Sequence, residues 1–147
     1  MSESAQNQLV NAIRSLQTAL EQHDAAVSAS CALGRSDWRC LDWLVEEGPR
    51  SPRTIRRRLG LTSGSVTALL DRLERRGLIV RRADPVDRRG LSIEASAEAH
   101  QLVRDANVSL DHVMGKLSAR WGAARSASTR QACLDLAKLI EWAAQRA

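Results

Sequence analysis

Between residues 61 and 96 the hydrophobic period of the chain changes once, from 3.6 to 2, and the change falls on a glycine. Thr62 and Ser63 place hydroxyls where they can accept a bond from a free backbone N–H, so a helix starts there. Val66, Leu69, Leu70 and Leu73 then recur at i, i+3, i+4 and i+7 as one apolar stripe, while Ser65, Thr67, Ala68, Arg72 and Arg75 fall outside it. Gly77 can take the left-handed conformation that closes a helix. Beyond it Leu78 and Val80 alternate with Ile79 and Arg81, and later Leu91, Ile93 and Ala95 alternate with Ser92 and Glu94. The connecting segment holds the turn formers Asp84, Pro85 and Gly90 and the charged residues Asp87, Arg88 and Arg89. The stretch therefore predicts a helix, a strand, a cationic hairpin tip and a second strand.

The flanking chain is helical by the same criterion. Leu9, Val10, Ile13, Leu16, Leu20 and Val27 predict one long helix from Ser4 to about Ser30, closed by Gly34. Ser36 or Asp37 is suited to cap a second helix with Trp38, Leu41, Leu44 and Val45 on its apolar face, stopped by Gly48 and Pro49. Ser51 followed by Pro52 starts a short third helix carrying Ile55 and Leu59, and Gly60 ends it. Two helices joined by so brief a turn form a helix-turn-helix, whose second member enters the major groove of DNA. After Ser96, Val103, Ala106, Leu110, Val113, Leu117 and Trp121 step by three and four. A helix over 97–121 is about 37 Å long at 1.5 Å per residue, more than a small domain needs. A last helix after Gly122 and Ser126 carries Cys133, Leu136, Ala137 and Ile140 on one side, and that face wants a partner.

Charge is concentrated where the helix-turn-helix lies. Residues 50–90 hold twelve arginines against four acidic residues, a net of +8, while the rest of the chain is at −3 and the whole at +5. Arginine outnumbers lysine by 20 to 2, and the guanidinium fork suits phosphates and base edges. At the start of the second helix Ser63, Gly64, Ser65, Thr67 and Ala68 are small enough to let the backbone approach base edges, with helix N–H groups facing phosphate. Arg72 lies about two turns beyond Ser65 on the same side, within reach of a phosphate or a guanine. No apolar run approaches the roughly 18 to 20 residues of a membrane span, and the N-terminus lacks a signal-peptide pattern, so a cytoplasmic protein with no membrane partner is expected.

The string SVTALLDRLERRGLIVRRADPVDRRGLSIEAS resembles the recognition helix and wing of the MarR family of bacterial winged helix-turn-helix regulators, and a weaker likeness extends over nearly the whole chain. The resemblance implies a mainly α fold with a small β-hairpin wing. It also implies a helical dimerisation region made of residues 1–34 and 97–147 around a DNA-binding domain at 35–96. In such a protein Asp87 of the DxR pattern holds Arg89, which probes the minor groove, and Arg88 contacts phosphate, which suits the negative potential of a narrow groove. The partners implied are double-stranded DNA bearing a pseudo-palindromic operator, a second copy of the chain, and a small-molecule effector near Trp38, Arg39 and Trp43. Repression is the commonest role in such families. Two positions depart from the family pattern: Arg56 stands where a small residue is usual, and Ala68 where a long polar residue is common.

Other classes find less support. A winged helix can serve protein contacts without sequence-specific DNA binding. For a thiol-based redox regulator, Cys31 and Cys40 flank a basic loop with Arg35 and Arg39, and nearby cations can lower a thiol pKa, but peroxide-sensing relatives place their reactive cysteine near the start of the first helix, where this chain has none. Cys31, Cys40 and Cys133 are odd in number and without a CxxC pair, which argues against a disulfide framework and a thiolate-rich zinc site. Cys133, on an apolar stripe, is expected to be a buried, inert thiol. His23, His100 and His112 are too scattered for a metal site, no nucleophile-base spacing suggests an enzyme, and no cofactor is expected.

Overall fold

The computed structural model describes residues 3–84, 90–144 and 146. Among these residues the elements follow in the order α1 (Glu3–Ser30), α2 (Arg35–Glu47), α3 (Pro52–Leu59), α4 (Ser63–Arg75), β1 (Ile79–Ala83), β2 (Leu91–Ala95) and α5 (Ala97–Ala144), the last kinked at Gly122. The chain divides into two compact units, Met1–Ala106 and Asn107–Ala147.

In the first unit the helix boundaries follow the capping chemistry. Ser51 Oγ accepts the amide of Thr54 at 3.2 Å with Pro52 at the first helical position, and Thr62 Oγ1 accepts that of Ser65 at 3.2 Å. Helix α4 closes in a Schellman turn: Gly77 N donates to Glu74 O and Leu78 N to Leu73 O, with Gly77 at φ 70. Helix α1 closes the same way on Ala29 and Ser28, but there the left-handed position is Ala32 at φ 51. A β-carbon in that region costs about 1 kcal/mol, so the surrounding contacts must hold it.

Helix α2 starts differently from expectation. Gly34 is the N-cap, with no side-chain cap bond, and Ser36 and Asp37 lie inside the first turn. Asp37 is buried and its carboxylate bonds to Arg72, which outbids the local amides for it.

The stripes of α2, α3 and α4 meet in one core whose fully buried members include Trp38, Leu41, Leu44, Ile55, Leu69 and Leu73. Ile93 of β2 and Ala99 and Val103 of α5 close it. The strands are antiparallel, with Arg81 opposite Ile93, and Arg50 and Ile93 exchange two backbone bonds that tie the α2–α3 loop to β2. The alternation in β1 is shifted by one residue from the sequence reading. Ile79 is buried and Val80 is 39% exposed, because Leu78 is buried as the residue that closes the α4 turn and not as a member of the strand face. In β2, Ser92 is buried beside Ile93, and Leu91, opposite Ala83 toward the hairpin tip, is exposed.

The second unit is the remainder of α5. The expected break occurs at Gly122 (φ 75, ψ 168), whose backbone is not helical: two helices meet there in a kink, and the last one follows it as expected. Ser126 lies within the first turn of that last helix, its hydroxyl donating to Gly122 O at 2.9 Å. Large apolar side chains stand exposed along this unit, among them Val113, Met114, Leu139, Ile140 and Trp142. No helix among the described residues is long and apolar enough to cross a membrane.

Candidate nucleic-acid interface

Helix α4 turns its apolar stripe inward and leaves Ser63, Gly64, Ser65, Thr67 and Ala68 on the exposed side. Little in the chain occupies that face. The hydroxyl of Thr67 donates back to Ser63 O at 3.1 Å, and Ser65 Oγ lies 2.8 Å from Thr62 Oγ1, so both hydroxyls stay close to the helix surface. A β-carbon at Gly64 would meet nothing within 4 Å, so no packing inside the chain demands a glycine there.

Beside the start of α4 a cleft of about 340 Å³ is lined by Pro52, Arg53, Arg56, Ser63, Val66 and Thr67. Arg56, the departure from the family pattern, is exposed and reaches Ser63 Oγ at 3.4 Å without disturbing the packing of Ile55. Its stem lies over the helix pair and its head is in solvent, as a long cationic side chain on an apolar surface behaves.

The arginines of residues 50–90 divide into two groups. Arg81 is paired with Asp71 and lies 3.4 Å from Glu74, and Arg82 bonds Glu94 at 2.8 Å. Arg50 bonds Glu47 at 3.0 Å and stands over the ring of Trp43, as does Arg58. Arg76 donates to the carbonyls of Ala32 at 2.6 Å and Cys31 at 3.0 Å. Arg72 bonds Asp37 through both arms of its fork, Nε to Oδ2 at 2.9 Å and Nη2 to Oδ1 at 2.6 Å, and the hydrogen bond to this carboxylate holds its pKa above the usual guanidinium value. Arg53, Arg56, Arg57 and Arg75, by contrast, have no ion pair among the described residues and are exposed, although Arg75 Nε donates to Asp71 O within its own helix at 3.2 Å. Arg53 and Arg57 are not among the residues singled out in the sequence, and Arg75 is placed there only outside the apolar stripe, with no role. The arginine run at 56–58 was visible there, but which heads remain unpaired depends on where the acids lie in space.

The other sequence-derived positions are dispersed. Asp87, Arg88 and Arg89 lie outside the described residues; the strands leading to them are joined by Asp84 N donating to Gly90 O. Trp38 is 1% exposed in the core and has no face to offer an effector, Trp43 is half-buried against Arg50 and Arg58, and Arg39 is exposed. The three are not gathered around one cavity, because Trp38 turns inward on the α2 stripe with Leu41 and Leu44. Among the described residues no group of three metal-ligating side chains comes together.

The cysteines are all free. Cys133 is exposed on α5, contrary to the burial expected from its apolar stripe, because that stripe, Ile140 included, is left uncovered among the described residues. Cys40 is fully buried, and burial first, with the Asp37 charge second, pushes its thiol up from 9.0 to about 12. A thiol that ionises at 9.0 when unfolded and near 12 when folded leaves stability intact below pH 9 and erodes it as pH rises from 9 towards 12. Replacing the three cysteines by alanine is expected to leave DNA affinity unchanged under reducing conditions, with mild peroxide failing to release the wild type. Peroxide-induced release that is lost on changing Cys31 would establish a thiol sensor instead.

Comparison with known proteins agrees with this architecture. Residues 33–90 match the model of the MarR family. The uncharacterized HTH-type transcriptional regulator YcgE of Bacillus subtilis (strain 168) is 39% identical over 83 residues, 56% of this chain and 53% of that protein. The chain thus spans about half the length of the curated relatives it matches. Among solved structures, a MarR family protein from Bacillus stearothermophilus superposes with a TM-score of 0.77 at 18% identity, covering 96% of this chain and 99% of that one. NadR in complex with 4-hydroxyphenylacetate superposes with a TM-score of 0.68 at 21% identity, covering 88% and 91%.

Proposed function

We propose that the chain, which is similar to the MarR family over residues 33–90, is a winged helix-turn-helix transcriptional regulator of that family and acts as a homodimeric repressor of a pseudo-palindromic DNA operator, released by a small-molecule effector. The observation that carries this reading is the exposed face of α4. Ser63, Gly64, Ser65, Thr67 and Ala68 leave its first turns low and uncovered, and the unpaired Arg53, Arg56 and Arg57 stand on the preceding helix. Those turns enter the major groove, the arginines seat on the flanking phosphates, and the hairpin tip with Asp87, Arg88 and Arg89 reaches the adjacent minor groove. On this reading the protein is a DNA-binding regulator, and no group in the arrangement is asked to make or break a bond.

Residues 35–96 form the DNA-binding part. Residues 1–34 and 97–147 form the dimerisation part, which accounts for Leu9, Leu16 and Leu20 on α1 and Leu139, Ile140 and Trp142 on α5 standing exposed in a single chain. The effector reading draws on NadR, which binds 4-hydroxyphenylacetate; here Arg39 and Trp43 are the remaining candidates for such a contact, Trp38 being in the core. Selection of bound fragments from random DNA tests the whole proposal. Enrichment of two-fold symmetric sites, with half-sites about one helical turn apart, is expected. Enrichment of asymmetric single sites would refute the dimeric reading, and no enrichment would refute sequence-specific binding.

A further inference from the structure

On a helical wheel Arg72 follows Ser65 and Ala68 along the outward side of α4, a placement that directs it to DNA. Its guanidinium instead turns back to the first turn of α2, where both arms meet the carboxylate of Asp37. Asp37 is 5% exposed, so this fork is what allows a charged carboxylate to lie there. One turn further along α4, Arg76 donates to the carbonyls of Cys31 and Ala32, the two groups left over when α1 ends in its Schellman turn. Helix α1 has no basic residue in its own last turn, and this cation arrives from 44 residues away. Two successive turns of α4 are therefore hooked to the corner joining α1 to α2, across a cleft of about 540 Å³ that Ala32, Leu33 and Gly34 line from one side and Arg72, Arg75 and Arg76 from the other.

Resting on the DNA-binding reading above, we infer that Asp37 and Arg72 are positioning residues for operator recognition: the pair fixes the roll of α4, and Arg72 is not a phosphate contact. An apolar stripe of Val66, Leu69, Leu70 and Leu73 holds α4 to the core but is non-directional, so it limits rotation about the helix axis only weakly. A bidentate pair is directional. Hydrogen bonds to base edges tolerate only a few tenths of an ångström, so a small roll of α4 forfeits them. The same corner ends α1, so any displacement of α1 against α2 reaches the reading helix through these two arginines.

The test compares wild type, Arg72→Ala, Asp37→Asn and the double variant for operator affinity, for the salt dependence of that affinity, and for amide exchange over residues 72–77. Each single variant is expected to bind the operator about tenfold more weakly with the salt slope of the wild type, and the double variant no more weakly than either single one. Exchange at 72–77 is expected to quicken in Asp37→Asn. A salt slope reduced by about 0.9 per operator half-site in Arg72→Ala, with Asp37→Asn binding normally, would overturn the inference and make Arg72 a phosphate contact. If circular dichroism shows Asp37→Asn unfolded, Asp37→Leu/Arg72→Met removes both charges together and carries the test: weakened binding at unchanged slope supports the positioning role, and wild-type affinity overturns it. A wild type that binds no DNA would refute the DNA reading and the recognition role with it. The exchange measurement stands apart, since unchanged exchange in Asp37→Asn removes the latch whether or not DNA binds.

Discussion

Operator affinity is expected to fall by about 10³- to 10⁵-fold when salt rises from roughly 50 to 200 mM, with log K declining at about 0.9 per phosphate neutralised. The unpaired arginines set this magnitude. Arg53, Arg56, Arg57 and Arg75 have no ion pair among the described residues, and a dimer presents two such sets with two wings, enough to cover roughly six to ten phosphates. The paired ones supply an internal control. Arg53→Ala, beside the start of α4, should lower the slope by about 0.9 per half-site, whereas Arg82→Ala should leave it alone because its guanidinium is held by Glu94. Arg89→Ala should weaken operator binding without loss of fold or dimer. A flat salt response would point to a winged helix that serves protein contacts.

Removing residues 126–147 should abolish the dimer and, with it, tight operator binding. Leu139 is 63% exposed, Ile140 57% and Trp142 54% in the single chain, and burying such side chains contributes about 25 cal/mol for each Å² of apolar surface withdrawn from water. In the proposed dimer the exposed apolar residues of α1, Leu16 at 54% among them, share the interface with that segment, so its removal should leave monomer or aggregate. A monomer engages one half-site at a time and loses the 10²- to 10⁴-fold advantage of linked binding. Light scattering and gel shift read both effects, and a stable dimer after truncation would place the interface elsewhere.

Much of this architecture is legible in the sequence because its determinants are local. A helical stripe needs only residues three and four apart, a cap only a hydroxyl three residues before an amide, and Gly77 and Gly122 mark their turns by lacking a β-carbon. The small outward residues of α4 follow from the same stripe, since Val66, Leu69, Leu70 and Leu73 leave one side over. What each arginine does is not local. Arg72 finds Asp37 at a separation of 35 residues, Arg76 the corner of α1 at 44 and 45, and Arg82 its acid at 12 across the hairpin. Charge type and spacing are identical for an arginine that seats on phosphate and one that ties two helices together.

Only the tertiary structure separates them, because which acceptor a guanidinium can reach depends on how the assembled core brings distant segments together. The same physics moved Asp37 from a cap to an anchor and drew Trp38 inward. It also set Ile79 and not Val80 toward the core, since the turn that ends α4 decides where the strand begins to alternate. The sequence by itself determined the elements, their order and the cationic, small-residue face of α4. Which cations are spent inside the chain and which are left for a partner was decided by packing.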